Sequence, residues 1–377
     1  MNIQPIFEPY TLNNGVRVDN RLVVAPMTHW ASDAQGHITD MERSFLQNRA
    51  EGFGLFITAA TLVSPEGKAF AGEPEAIDEG DLDSLKATAS FIKSQGAKAI
   101  LQLHHGGRQA VGELLGGLDR VAPSSDSEVD GVPQASDGVR AMTTAEINDV
   151  IAAFGRATEL AIEAGFDGVE IHGANGYLLQ QFFSGHTNRR TDEWGGSLDK
   201  RMRFPLAVVD AVMAARDRKN RLDFIVGYRF SPEEPEERGL TMTDTFALID
   251  ALLETPLQYL HVSLHNFFAH ARRGADTAKQ RTVLLHEHIA GRLPLIGVGA
   301  LLTAEDIDRA WATGSAEFLA LGRAVLLNPN LVELLRKGQY DRIATELDPT
   351  RPDRYRFSET LWQLNLLGLD FLPKVKR

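Results

Sequence analysis

The stretch GFDGVEIHGANGYLLQQFF, residues 165–183, runs from a short strand-like segment through His172, Asn175 and Tyr177 into a second apolar segment. Short runs rich in Val, Ile, Leu and Phe, bounded by glycine or polar residues, mark strands covered on both faces. Working outward from FDGVEIH (166–172), seven more runs of this kind follow the chain: RLVVAP (21–26), GLFITAA (54–60), AKAILQL (97–103), FIVGYRF (224–230), QYLHVSL (258–264), PLIGVG (294–299) and EFLALG (317–322). Helical patterns separate them. In TTAEINDVIAAFGRATELAIEAG the apolar residues recur at helical spacing, with Thr143 and Glu146 placed as a capping box. LTAEDIDRAWATG repeats the pattern, with Thr303 as N-cap and Gly314 as the C-terminal stop.

Eight buried strands alternating with helices predict an α/β fold of the (β/α)8 TIM-barrel type. A doubly wound open sheet also alternates strands and helices, but it carries a phosphate-binding glycine motif after its first strand. Here that place is taken by MTHWASDAQG (27–36), which has no such motif. The expected organisation is a single domain over 1–377. An N-terminal β-hairpin (1–20) turns at Asn14-Gly15 and suits the bottom of a barrel. A long Ser/Gly/Asp-rich capping loop (121–142) follows strand three, and a C-terminal extension spans 338–377.

Composition excludes several function classes. A net charge of -12 opposes a phosphate backbone, so nucleic acid is not an expected partner. No segment approaches the roughly 20 apolar residues that span a bilayer, and MNIQPIFEPY lacks the form of a signal peptide; the expected location is the cytoplasm. With no cysteine there are no disulfides, thiolate nucleophiles or cysteine-held clusters, so redox chemistry here needs an organic cofactor or other metal ligands.

In a barrel the active site forms where strand C-terminal ends meet the following loops. The polar residues there are Thr28, His29 and Trp30; Gln102, His104 and His105; His172, Asn175 and Tyr177; Arg229; and His265 and Asn266. Gly297, Gly299 and Gly322-Arg323 close the last two strands. Loops at that position often bind phosphate, and Arg323 adds a fixed charge, although a glycine pair beside a strand also serves as a plain tight turn. Arg229 is placed either to meet a ligand or to close a salt bridge.

The histidines do not suit a metal. His104 and His105 point to opposite faces of a strand, and His286 and His288 lie about 200° apart on a helix. His172 and Asn175, three residues apart, lie about 60° apart on a helical turn and can both donate to one carbonyl or nitro oxygen. Tyr177 does not share that face in an ideal helix, so it joins them only if the loop bends. The competing reading makes His172 a cap and Tyr177 packing beneath it.

The runs NRLVVAPMTHW, LQLHHGGR, EIHGANGYLLQQFFSGHTNRRTDEWGGS, YRFSP and FLALGRAVLLNPN, in this order and at barrel spacing, resemble the old yellow enzyme family of FMN-dependent ene-reductases. That resemblance implies noncovalent FMN, NADH or NADPH as electron donor, and an activated alkene or another small-molecule acceptor. Carried over motif by motif, Ala25, Pro26, Met27 and Thr28 would lie along the flavin edge. Ala60 and Gln102 would line the ring, Arg229 would stand near N1 and O2, and Gly299, Gly322 and Arg323 would hold the phosphate. His172 and Asn175 would grip the substrate oxygen while Tyr177 protonates the α-carbon. Trp30, where some members carry tyrosine, would face the substrate, and Asn175 replaces the second histidine of many relatives. Two other functions stay open: a flavoenzyme whose acceptor is a quinone or oxygen, and a flavin-binding protein without turnover. A Schiff-base aldolase is disfavoured because no lysine stands at a strand end. Monomer and homo-oligomer are both compatible with the sequence.

Overall fold

The protein is described by a computed structural model over residues 3–129 and 138–376. Eight strands, β1 (Leu22–Val24), β2 (Leu55–Leu62), β3 (Lys98–His104), β4 (Gly168–Gly173), β5 (Ile225–Phe230), β6 (Tyr259–Val262), β7 (Leu295–Val298) and β8 (Phe318–Leu321), close into a barrel in chain order. Every neighbouring pair is parallel, including β8 with β1, where Leu319 to Leu321 meet Leu22 to Val24. All eight sequence runs are strands of the barrel, and all-parallel pairing explains their apolar character, since helices cover the outer face and side chains fill the inner one.

The crossover helices begin where their caps place them. Thr143 accepts from Glu146 N at the start of Thr144–Glu163, with the reciprocal Glu146 bond present, and Thr303 caps Ala304–Ala312 in the same way. Such a cap contributes about 1 kcal/mol. Inside the barrel the lower layer is apolar: Val23, Ile57, Ile100, Ile225, Ile296 and Phe318 pack together with Leu12 and Val18 of the hairpin. Each such side chain, fully buried, contributes about 1.5–3 kcal/mol. The hairpin pairs Tyr10 with Val18 and Thr11 with Arg17, and Gly15 takes the positive φ of 84° that its turn requires.

Of the loop expected over 121–142, residues 130–137 lie outside the described residues. Its flanks come together, Val121–Ala122 pairing with Arg140–Ala141. The C-terminal residues pack on the barrel through Ser358, whose hydroxyl donates to His29 O at 2.6 Å, and through Arg49. Arg49 is wholly buried and has no carboxylate partner among the described residues; its guanidinium donates to the carbonyls of Phe45, Leu326 and Tyr355 and lies over the Phe45 ring. No helix among the described residues is long and apolar enough to cross a membrane.

Candidate active site

Alternation along β4 turns Glu170 and His172 to the barrel interior. Beyond Gly173 the chain reverses through two consecutive left-handed residues, Asn175 at φ 59° and Gly176 at φ 73°. Asparagine tolerates that region better than most residues and glycine adopts it freely. The reversal supplies the bend that helical geometry lacked. Tyr177 becomes the N-cap of the helix Leu178–Phe183, its ring 5.3 Å from that of His172 and 4.3 Å from that of His104.

The amide of Asn175 is oriented by its neighbours. Arg229 Nη2 lies 3.1 Å from Ser263 Oγ, and a guanidinium only donates, so the hydroxyl accepts there and gives its own proton to Asn175 Oδ1 at 3.2 Å. Asn175 Nδ2 is thereby left as the free donor. Ser231 Oγ accepts from Asn175 N at 2.9 Å and holds the turn. Arg229 closes no salt bridge among the described residues, and its Nε is buried without a partner. Burial, then Arg229 and the nearby His104 and His261, hold the His172 imidazole well below its ordinary value, so the ring is neutral at neutral pH. Burial and the Glu73 carboxylate push the Tyr177 phenol up against the opposing pull of Arg229, so it keeps its proton.

Glu73 and Ser263 in this cluster were not singled out by sequence, and His104 was weighed only as a strand-end residue and metal ligand. Glu73 and His104 are both fully buried, and Glu73 Oε1 lies 2.6 Å from His104 Nδ1 while Oε2 accepts from Ala69 N. A carboxylate only accepts, so His104 carries its proton on Nδ1 and leaves Nε2 unpartnered beside Tyr177 and His172. His105 faces the other way, toward Glu66 at 3.6 Å, as strand alternation requires. The available signal was the i, i+2 pairing of Gln102 with His104, Glu170 with His172, and Tyr259 with His261 on inward-facing positions. Glu73 and Ser263 gave no such signal. His286 and His288 bond separate acids, Glu317 and Asp250, and do not converge.

The other sequence-predicted residues fall on the same end of the barrel. Ala25 continues β1, its N–H donating to Leu321 O at 3.0 Å, and Gly322 lies against Met27 and Ala25. Pro26, Met27 and Thr28 follow, half-buried, and Trp30 at φ 49° packs against Phe70. Ala60 pairs with Gln102 after a register shift that begins at Ile57. Gln102 is buried, its N–H held by Thr58 Oγ1 and its Nε2 by Glu170. Gly322 is the uncapped start of the helix Arg323–Leu327, and Arg323 forms no ion pair among the described residues. Gly299 has a second reason to be glycine, because a Cβ there would lie 2.6 Å from Phe267 N.

The donor set fits a flavin mononucleotide. Arg229 Nε and His172 Nδ1 are buried orphans, Gln102 has an uncommitted carbonyl oxygen, and Gly322 and Arg323 offer room and charge for a phosphate. The profile described as "NADH:flavin oxidoreductase / NADH oxidase family" matches residues 5–342. "Probable NADH-dependent flavin oxidoreductase YqiG" of Bacillus subtilis (strain 168) is 46% identical over 360 residues, covering 96% of this chain and 95% of that protein. "NADH:fumarate oxidoreductase" of Klebsiella pneumoniae (strain 342) is 36% identical, but the 96% of this chain that aligns spans only 39% of that protein. Among solved structures, morphinone reductase in complex with tetrahydroNAD superposes with a TM-score of 0.74 at 30% identity, covering 88% of this chain and 90% of that one. The chain belongs to the NADH:flavin oxidoreductase / NADH oxidase family, the old yellow enzyme family.

Proposed function

We propose that the chain is an FMN-dependent NAD(P)H oxidoreductase of the ene-reductase type, acting on an alkene conjugated to a carbonyl or nitro group. FMN and a reduced nicotinamide are the family's cofactors. When bound, FMN supplies the redox chemistry, accepting hydride from NADH or NADPH and passing it to the acceptor in a separate step.

The observation that carries the reading is the hydrogen-bond chain from Arg229 through Ser263 to Asn175, which turns an amide donor outward beside a neutral His172. Two donors on one substrate oxygen draw electron density from the conjugated β-carbon, by the logic of an oxyanion site. Tyr177 holds a proton at neutral pH and gives it to the α-carbon. Trp30 bounds the substrate. Ala25 to Thr28, Ala60, Gln102 and Arg229 bound the ring, and Gly299, Gly322 and Arg323 bound the phosphate. The whole chain acts as one domain.

The test is anaerobic. Purified protein with FMN should be bleached by NADH or NADPH and then recoloured by 2-cyclohexenone and by nitrostyrene; failure to bind FMN, or recolouring by quinones and oxygen alone, overturns the proposal. A second reading, with oxygen or a quinone as the acceptor, is supported by the "NADH oxidase" in the family's description. The two readings diverge at Tyr177.

A further inference from the structure

We propose that Glu170 is a positioning residue for the flavin: it fixes which end of the Gln102 amide meets the ring and balances the charge that Arg229 presents there. The inference rests on FMN occupying the strand ends, as proposed above.

Below His172 and above the apolar layer, the barrel interior carries a polar tier. Strand register places Gln102 beside Glu170, and Arg229 beside both His172 and His261. Glu170 is fully buried and takes three donors: Gln102 Nε2 at 2.8 Å on Oε1, with Tyr259 Oη at 3.1 Å and His261 Nδ1 at 2.8 Å on Oε2. Gly227 makes this tier possible, since a Cβ there would lie 2.0 Å from Tyr259 Cζ. A buried carboxylate needs hydrogen bonds and nearby countercharge; here three donors supply the first, and the Arg229 guanidinium supplies the second without a direct salt bridge. Burial works to raise its carboxyl, yet His261, Arg229 and Gln102 together keep it below its ordinary value.

Two consequences follow from this geometry. An ionised carboxylate accepts only, so it commits Gln102 Nε2 and leaves Gln102 Oε1 as the group facing a ligand, an acceptor suited to the ring N–H of a pyrimidine. Arg229 is hydrogen-bonded only to Ser263 among the described residues, so Glu170 is the anion that offsets it within the tier. The other titratable groups around it are Tyr259 and His261, with His104, His172 and Tyr177 one tier above. Burial keeps both Tyr259 and His261 in their neutral forms. Removing the Glu170 charge therefore leaves the floor of the site more positive, which favours the more negative, reduced cofactor.

The experiment measures FMN midpoint potential by dye equilibration and FMN dissociation constants by fluorescence, in wild type, Glu170→Gln and Tyr259→Phe holoenzymes. Glu170→Gln should bind reduced FMN about tenfold tighter relative to oxidised FMN, an upward midpoint shift of about 30 mV for two electrons. Tyr259→Phe, which keeps the charge, should leave the midpoint at the wild-type value. A purely structural Glu170 would weaken both redox forms equally, and an unchanged midpoint in Glu170→Gln overturns the proposal. Should Glu170→Gln not retain FMN, His261→Leu decides: it removes the Nδ1 donor from the carboxylate. Its midpoint should climb above that of wild type as the pH is lowered across the range in which the protein stays folded, because without the His261 donor Glu170 is easier to protonate. A difference from wild type that does not change with pH overturns the proposal. Wild-type protein that binds no FMN removes the functional proposal itself, whereas bound FMN with equal midpoints removes only the role of Glu170.

Discussion

Replacing Tyr177 by Phe separates alkene reduction from other uses of the flavin, and the structure sets the size of the effect. Among the described residues the Tyr177 hydroxyl has no hydrogen-bond partner, and its ring is held by His104 and His172 rather than by its oxygen. Deleting the oxygen therefore strands no buried group, and the stability change should stay within about 0.5 kcal/mol. The catalytic cost is that of a lost general acid, about 10²–10⁴-fold. Tyr177 is half-buried, so water can replace part of its function, and the lower half of that range applies: about 10²–10³-fold, or roughly 3–4 kcal/mol. Anaerobic stopped-flow measures both half-reactions. Reduction by NADH should be unchanged, reoxidation by 2-cyclohexenone should fall by that factor, and reoxidation by a quinone, whose protons are added to oxygen, should survive. The wild-type phenol lies above 10.0, so enone reoxidation should show no alkaline loss from Tyr177 below that pH. Reoxidation by the enone within about threefold of wild type, in a variant of unchanged melting temperature, would refute the assignment of Tyr177 as the proton donor.

Two further outcomes follow from buried charge. His172 and His261 both sit below 6.5 in the fold while the unfolded chain takes up protons near 6.5, so their contribution to stability is full above that pH and is lost as the pH falls beneath it. The slope should reach about 1.4 kcal/mol per pH unit for each histidine; comparing melting at pH 7.5 and 5.5, a His172→Asn variant should lose less than wild type, and equal losses would contradict the sign. Arg49→Met leaves the buried carbonyls of Phe45, Leu326 and Tyr355 without a donor while relieving an unpaired charge. A net loss of about 2–4 kcal/mol in denaturant unfolding is expected, with earlier proteolysis of the C-terminal residues; unchanged stability would show the contacts to be dispensable.

The barrel was legible because all-parallel pairing writes itself into sequence as eight short apolar runs, and because caps such as Thr143 and Thr303 act within one helical turn. The rim was legible for the same reason: once the strands are placed, their ends follow, and Gln102, His172 and Arg229 share one end of the barrel. What sequence withheld was anything decided by two distant segments. Glu73 lies on a loop 31 positions from His104, and Ser263 lies 88 from Asn175. The approach of Tyr177 to His172 depended on backbone handedness at Asn175 and Gly176, which helical periodicity does not encode. Gly299 was read through phosphate or a plain tight turn, whereas its close approach to Phe267 N gives a packing reason that no spacing rule would reveal.

The left-handed backbone at Asn175 also narrows which side chains an evolving or engineered pocket can place there. The backbone there demands a residue that accepts φ near 59°, and the proposed function adds the need for a hydrogen-bond donor. Asparagine, aspartate and histidine are the non-glycine residues enriched in that region, and aspartate, once ionised, does not donate. That leaves asparagine and histidine, the same two residues that alternate at this place in the resemblance drawn from sequence. A β-branched substitution would add roughly 1–2 kcal/mol of strain at the turn and swing Tyr177 away from its neighbours. Libraries that randomise this site for new substrates will therefore recover two chemistries, and wider variation in selectivity must come from Trp30, Phe70 and His104 across the pocket.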